Sequence, residues 1–320
     1  MKIKKNDLFI GIYLLAAVLF FIISIPSWLL DILLAFNIMV ALVILFNSLF
    51  AKEVLDMASF PTMLLFTTIF RISLNVSSTK MILRDGYAGH VVSVFGQFVG
   101  GGNLVIGTII FIVLIIVQFI VINKGSERVS EVTARFTLDA MAGKQMAIDS
   151  DLNTGAITDK EAAERRKKLQ QENSFFGSMD GATKYVKGDA TAGLIITAIN
   201  LVGGIAMGML YNGMSINDAL STYSILTIGD GLCSQIPSLL ISLSTGILVT
   251  KGSNEADFSG ILVKQLFGIP RVMYIVGTVL IILGIITPLN IVLFVGEGAV
   301  FLLVGRSISN GIGEESIEEE

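Results

Sequence analysis

Residues 104–122 read LVIGTIIFIVLIIVQFIVI, an apolar run without a charged side chain. A helix needs roughly 20 mainly apolar residues to cross a hydrocarbon core of about 30 Å. This run therefore predicts a membrane-spanning helix. The composition agrees, because 53% of the 320 residues are hydrophobic and 15% are charged, whereas soluble domains are nearer about 25% charged. The sequence predicts an all-α polytopic membrane protein.

Seven other segments have the same character, which brings the prediction to about eight transmembrane helices. The first of them is long for a signal peptide, and no small-residue cleavage site follows it, so we interpret it as a helix that stays attached. A Thr287-Pro288 pair separates the last two segments and predicts a tight turn. The predicted spans are 8–25, 29–50, 59–79, 104–122, 191–211, 224–249, 272–287 and 289–305.

The predicted organisation has four parts. Transmembrane helices 1–4 occupy 1–123, a small soluble insertion occupies 124–189, transmembrane helices 5–8 occupy 190–306, and 307–320 begins a linker. The insertion holds 11 of the 22 lysines and arginines. Because basic residues favour cytoplasmic loops, the insertion and both termini are predicted to be cytoplasmic.

One stretch does not fit this pattern. Arg71, Lys80 and Arg84 fall late in the third predicted span or beyond it. Either that span is irregular or part of 71–90 folds back into the protein, so the path of 71–103 stays open. Within the insertion, Thr158 followed by Glu161 predicts a helix start with a capping box.

Several kinds of site are not expected. With a single cysteine and a single histidine, neither an intrachain disulfide nor a metal site built from these residues is expected. Gly143-Lys144 fails the phosphate-loop pattern, because Leu138 replaces the first glycine and Gln145 replaces the Ser or Thr that binds magnesium. No cofactor and no nucleic acid partner are predicted.

Four motifs resemble a known family. Residues 127–151 read ERVSEVTARFTLDAMAGKQMAIDSD, and further matches are RISLNVSSTK at 71–80, SMDGATKYVKGDATAG at 178–193 and TIGDGLCSQIPSLLIS at 227–242. Together they closely resemble the FHIPEP family of flagellar and type III secretion proteins. The residues found at these motifs favour the flagellar members. One departure is Ala142, where the family usually has a proline.

The resemblance implies a function and a set of partners. Members are membrane components of the protein export gate in the bacterial inner membrane, and they help couple the proton motive force to export of unfolded proteins. They form a homo-oligomeric ring, understood to be a nonamer, that works with other export-gate membrane proteins, exported proteins, the export ATPase complex and membrane lipid. They are not enzymes themselves. Members also carry a large C-terminal cytoplasmic domain, so the chain is expected to be the membrane portion of a longer protein.

Ionisable side chains inside a bilayer are costly and are therefore functional candidates. Arg71, Asp230 and Glu297 are proton-coupling candidates on this ground. The glycines that flank Asp230 predict a locally opened helix, and such helices at membrane depth line water or protein. The alternatives are a snorkelling arginine, an aspartate at the outer interface and a glutamate used in helix packing.

Asp180 and Lys184 are further candidates. The resemblance links the aspartate of the SMDGA motif to proton coupling, which carries over to Asp180, and Lys184 would face it one turn later. The alternative is a solvated salt bridge. The charged residues of the first motif form either surface ion pairs on an amphipathic helix or contacts between subunits. These residues are Arg128, Glu131, Arg135, Asp139, Lys144, Asp149 and Asp151.

Two other functions remain open at this stage. A secondary transporter for a small solute would also use intramembrane carboxylates and broken helices, and it would be expected to have inverted repeats and a midplane pocket. A passive scaffold would only anchor a cytoplasmic docking domain, and its export would survive neutralisation of Asp180 or Asp230.

Overall fold

The computed structural model describes residues 5–100, 103–251, 258–286 and 290–318. These ranges form helices and no strand, which confirms the all-α fold class. A 3-10 turn (Val54–Met57) precedes α3, and a π-helix (Val117–Asn123) joins α5 to α6. The α-helices are α1 (Lys5–Ile22), α2 (Ser27–Phe50), α3 (Phe60–Asp85), α4 (His90–Gly100), α5 (Leu104–Ile116), α6 (Lys124–Asp139), α7 (Met141–Asn153), α8 (Asp159–Leu210), α9 (Ile216–Thr250), α10 (Phe258–Phe267), α11 (Pro270–Ile286) and α12 (Ile291–Glu318).

Six of the predicted spans lie on described helices that are long and apolar enough to cross a membrane. These helical stretches are Ser27–Phe50, Val54–Asp85, Leu104–Asn153, Asp159–Leu210, Ile216–Thr250 and Ile291–Ser309. The first and seventh predicted spans fall on shorter apolar helices, Ile10–Ile22 and Pro270–Ile286. A third short apolar helix, α4, was not among the predicted spans. The polytopic character of the fold is therefore confirmed.

The chain divides into two compact units, Met1–Ser253 and Asn254–Glu320. In the second unit α11 packs closely on α12, because a Cβ added at Gly277 would lie 2.8 Å from the carbonyl oxygen of Gly298. The predicted turn at Thr287-Pro288 lies outside the described residues. Helix α12 extends to Glu318, through most of the segment predicted as the start of a linker.

Helix α3 settles the question left open for the third span. It is one unbroken helix to Asp85, and Gly86, with a φ of 60°, ends it through a bond from its N–H to the Ile82 carbonyl. The span is therefore regular, and the chain turns only after it. Lys80 donates to the carbonyl oxygens of Phe21 and Ile22 at the end of α1, where a cation is favourable.

Helix α8 joins the insertion to the fifth span. Its start is the predicted capping box: Glu161 N–H donates to Thr158 Oγ1 at 3.3 Å, and Thr158 N–H donates to Glu161 Oε2 at 2.8 Å. The helix then runs for 52 residues, about 78 Å. No break occurs at the predicted boundary between 189 and 190, so one continuous helix connects the insertion to the fifth span.

The insertion packs in two places. Ile148 on α7 and Leu169 on α8 belong to a small apolar cluster that holds these helices together. Farther along α8, Phe175, Phe176 and Met179 belong to a larger cluster with residues of α2, α3 and α9. The second contact ties the insertion to the helices that span the membrane.

Helix α9 corrects one prediction. The expected local opening at Asp230 is wrong, because α9 is a continuous helix from Ile216 to Thr250. The flanking glycines serve close packing instead: a Cβ at Gly229 would collide with the Val92 carbonyl oxygen on α4, and one at Gly231 would collide with the Phe111 ring on α5. Both glycines are therefore explained by helix contacts.

Candidate functional site

A buried ion pair joins α3 to α8. Arg71 Nε donates to Asp189 Oδ2 at 2.7 Å, and Arg71 Nη2 donates to the same oxygen. The two side chains are only 2% and 3% exposed. Arg71 lies about 16 Å from the start of α3, near its middle. The pair therefore places two opposite charges well inside the helical bundle.

This pair is energetically sensitive to the loss of either partner. Removing one member of a buried ion pair costs about 3–5 kcal/mol, because the other charge is left uncompensated. An arginine cannot relieve that cost by losing its proton. A change in the charge of Asp189 therefore strongly favours a rearrangement around Arg71.

A second buried polar cluster lies farther along the same helices. Asn200 Nδ2 on α8 donates to Asp230 Oδ2 on α9 at 2.9 Å, and both residues are buried. The Ser78 hydroxyl lies within hydrogen-bond reach of Asp230 and 3.0 Å from the Asn75 carbonyl oxygen. A hydroxyl has one proton, so Ser78 donates to one of these acceptors at a time. Ser78 can therefore donate its hydroxyl proton either to Asp230 or to the Asn75 carbonyl oxygen.

The two clusters share one face of α3. Arg71, Asn75 and Ser78 follow the i, i+4, i+7 spacing that places side chains on the same side of a helix, and all three are buried. Arg71 and Ser78 are about 10 Å apart along the axis. The result is a buried polar stripe on α3 with a carboxylate at each end, Asp189 and Asp230.

A small cavity of about 40 Å³ opens beside the ion pair. Arg71 and Asp189 line it together with polar side chains from α3, the π-helix and α9. Gln118, on the π-helix, donates from Nε2 to the Gln235 carbonyl oxygen at 3.0 Å. The contact between the π-helix and α9 thus closes the cavity on one side.

Asp180 and Lys184 lie elsewhere, in the insertion part of α8. Lys184 Nζ donates to Asp180 Oδ2 at 2.7 Å, the contact that the i+4 spacing predicts. The Lys184 side chain is 63% exposed and the Asp180 side chain is 34% exposed. The hydrogen bond to Asp180, together with its charge, raises the pKa of the Lys184 ammonium. Their role in proton coupling stays a prediction.

The charged residues of the first motif mostly pair within the chain. Lys144, Asp149 and Asp151 on α7 pair with Glu172, Arg166 and Arg165 on α8, at 3.5, 2.5 and 3.3 Å. On α6, Arg128 pairs with Glu131 at 3.0 Å. Arg135 and Asp139 form no ion pair with a described residue. A contact between subunits stays a prediction for this motif.

Glu297 lies in the second unit, on the exposed side of α12. The neighbouring Gly298 is the residue that packs against α11, so the glutamate does not take part in that helix contact. In the described ranges, no group of three or more His, Cys, Asp or Glu side chains is placed to hold a metal ion.

The sequence interpretation missed the partners of its own candidates. Asn200 and Ser78 were not chosen, and Asp189 was not recognised as the partner of Arg71, although Asp189 and Ser78 lie inside the quoted motifs. One available signal was the spacing of Arg71, Asn75 and Ser78, which marks a polar face on α3. The partner of that face was not visible, since Arg71 and Asp189 are 118 residues apart.

Comparison with known proteins fits this arrangement of spanning helices and insertion. Residues 17–320 match the FHIPEP family. The chain belongs to the FHIPEP family. This FHIPEP chain is 50% identical over 318 residues to flagellar biosynthesis protein FlhA of Bacillus subtilis, covering 99% of the chain and 46% of that protein.

Two other relatives show the breadth of the FHIPEP family. FlhA of Salmonella typhimurium is 50% identical over 270 residues, covering 83% of the chain and 39% of that protein. The low calcium response locus protein D of Yersinia pestis is 46% identical over 307 residues, covering 93% and 44%. The chain thus spans less than half the length of these relatives. No solved structure matches it.

Proposed function

We propose that this chain is the membrane part of a flagellar protein export gate, which couples the proton motive force to export of unfolded proteins across the bacterial inner membrane. Its similarity to flagellar biosynthesis proteins along 99% of its length supports the flagellar assignment. In this proposal the chain has no enzymatic activity. It assembles with copies of itself into a ring and works with other export-gate membrane proteins, the export ATPase complex and exported proteins, with its termini and insertion in the cytoplasm.

The observation that carries the proposal is the buried Arg71–Asp189 pair. Asp189 has a carboxyl group, a type of side chain that can bind a proton, whereas a guanidinium such as that of Arg71 stays charged. Protonation of Asp189 would leave a buried, uncompensated cation, and relief of that cost favours a second conformation. Protonation of Asp189 therefore changes which packing arrangement of α3 against α8 has the lower free energy.

Because α8 is continuous, a change in its packing at Asp189 can reach the insertion. Asp189 and the insertion residues up to Asp159 lie on one helix. In this proposal a tilt or rotation of α8 at Asp189 moves the insertion, because one continuous helix connects the two. This is how proton uptake inside the bundle would reach the cytoplasmic face, where substrates are handled in this proposal.

The geometry favours Asp189 over Asp180 as the proton-binding carboxylate. The exposed Asp180–Lys184 pair is screened by solvent, and such pairs contribute about 0–1 kcal/mol. Its protonation would release too little free energy to drive a large movement. In this proposal Asp180 does not bind the coupling proton, and Asp230 is a second proton site deeper in the bundle.

A solute transporter is less well supported. Small-molecule pockets usually enclose about 300–1,000 Å³. The cavity beside Arg71 is only about 40 Å³, which is too small for an organic solute. A passive scaffold is also less well supported, because a scaffold has no need for a buried ion pair with polar neighbours in a spanning bundle.

The test is export of flagellar substrates by cells that carry Asp189→Asn in the complete gene. We expect export to fall at least about a hundredfold, in line with the loss of a buried charge pair. Asp189→Glu keeps the titratable group and should retain part of the export. Asp180→Asn, on the same helix, is the matched control and should have a smaller effect.

Membrane levels and ring assembly are measured for every variant, so that loss of protein is not mistaken for loss of coupling. If Asp189→Asn assembles and exports normally, proton coupling at Asp189 is ruled out. If Asp180→Asn abolishes export while Asp189→Asn does not, the coupling site lies in the insertion.

A further inference from the structure

The cavity beside the ion pair contains buried polar atoms with unmet hydrogen-bonding capacity. Arg71 Nη1 and Ser238 Oγ have no hydrogen-bond partner among the described residues. Both residues line the cavity and both are buried, with 1% and 5% exposure. An unmet guanidinium donor inside a bundle costs several kcal/mol unless something bonds to it.

The size and lining of the cavity identify what can bond to these atoms. A cavity needs about 10–15 Å³ for one water molecule, measured as space for the centre of a water-sized probe. At about 40 Å³ on that measure, this cavity has room for roughly three water molecules. Asn75 and Ser234 add further polar groups to its wall, so each water can find the two to four partners that it needs.

We propose that this cavity is a binding site for a cluster of about three ordered water molecules. The waters accept from Arg71 Nη1, bond to Ser238 Oγ and lie against Asp189. They provide the donors and acceptors through which a proton reaches Asp189 inside the bundle. The hydration site stands on its own geometry, whereas its role in proton transfer rests on the proposed function.

Gly193 offers a way to empty the site without disturbing its wall. It lines the cavity on α8, and a Cβ added there would meet no heavy atom of the described residues within 4 Å. Gly193→Val therefore places methyl groups in free space, while Gly193→Ser adds a hydroxyl that can replace one water. Gly177, also on α8, is exposed and equally unobstructed, so Gly177→Val is the matched control.

The experiment has two readouts on the complete protein. Cryo-electron microscopy of the assembly in lipid nanodiscs, at a resolution that shows ordered water, reports occupancy of the cavity. Export of flagellar substrates reports its role. We expect water density in the parent, loss of that density in Gly193→Val, and at least about a tenfold fall in export by that variant. Gly193→Ser should retain more export than Gly193→Val, and Gly177→Val should export within about twofold of the parent.

The outcomes separate the site from its role. A cavity that contains an acyl chain, or that shows no density in a map with ordered water elsewhere, overturns the hydration site. Displaced water with normal export in Gly193→Val overturns its role in proton transfer. Because Asp189→Asn tests the proposed function directly, normal export by Gly193→Val together with failed export by Asp189→Asn rejects the water route and leaves the coupling proposal standing.

Discussion

Helix α8 carries two acidic residues with opposite surroundings. Asp180 pairs with Lys184 on the same helix and is partly exposed, whereas Asp189 pairs with Arg71 on another helix and is almost completely buried. The two carboxylates lie only about 14 Å apart along the axis. The comparison shows that burial, more than charge or motif membership, decides how strongly a change of protonation acts on the fold.

The local and the long-range pair also differ in what they hold together. The Asp180–Lys184 bond closes within one helical turn, so its loss leaves helix packing unchanged. The Arg71–Asp189 bond joins α3 to α8 across 118 residues. Its loss changes the contact between two spanning helices, and this difference can be measured.

The largest expected effect is on stability in Asp189→Asn. It should lower the free energy of unfolding by about 3–5 kcal/mol, because Arg71 remains charged in a buried site. Arg71→Gln should cost less, since a glutamine amide can still donate a hydrogen bond to Asp189. Denaturant unfolding of the purified protein in detergent measures both. Equal losses in the two variants would contradict this asymmetry.

An intermediate effect is expected at the second cluster. Asn200→Ala removes the donor to the buried Asp230 carboxylate and should cost about 1.5–3 kcal/mol, the range for a hydrogen bond to a charged group. The same unfolding measurement applies. Thr191→Ala is the control, because the exposed Thr191 hydroxyl bonds only within its own helix, and its effect should stay within about 0.5 kcal/mol.

The smallest effect is expected at the exposed pair. Lys184→Ala should leave the free energy of unfolding close to that of the parent protein, because an exposed ion pair adds little to stability. Raising the salt concentration should shrink even that difference, because exposed charges are screened. A loss comparable to that of Asp189→Asn would mean that Lys184 makes contacts beyond its exposed ion pair, and the contrast between the two pairs would no longer hold.

Local rules predicted much of this molecule. Hydropathy located the spans, the Thr158–Glu161 spacing located the start of α8, and i+4 spacing located the Asp180–Lys184 contact. Each of these depends on residues close in sequence. The continuity of α8 across the predicted boundary was missed, because composition changes there while helical backbone does not.

Long-range features were beyond the same rules. The partner of Arg71 depends on how α3 packs on α8, which one sequence does not specify. The glycines around Asp230 were interpreted as freedom for the backbone, but they accommodate α4 and α5, since a glycine permits close approach as readily as flexibility. Separating these meanings requires knowing what lies opposite each glycine.

The most direct test of the central claim is export by the double variant Arg71→Gln, Asp189→Asn. Removing both charges relieves the buried cation, so the double variant should regain most of the stability that Asp189→Asn loses. If the pair couples protons to movement, the double variant should assemble and still fail to export. If export returns together with stability, the pair is only structural and the coupling account is wrong.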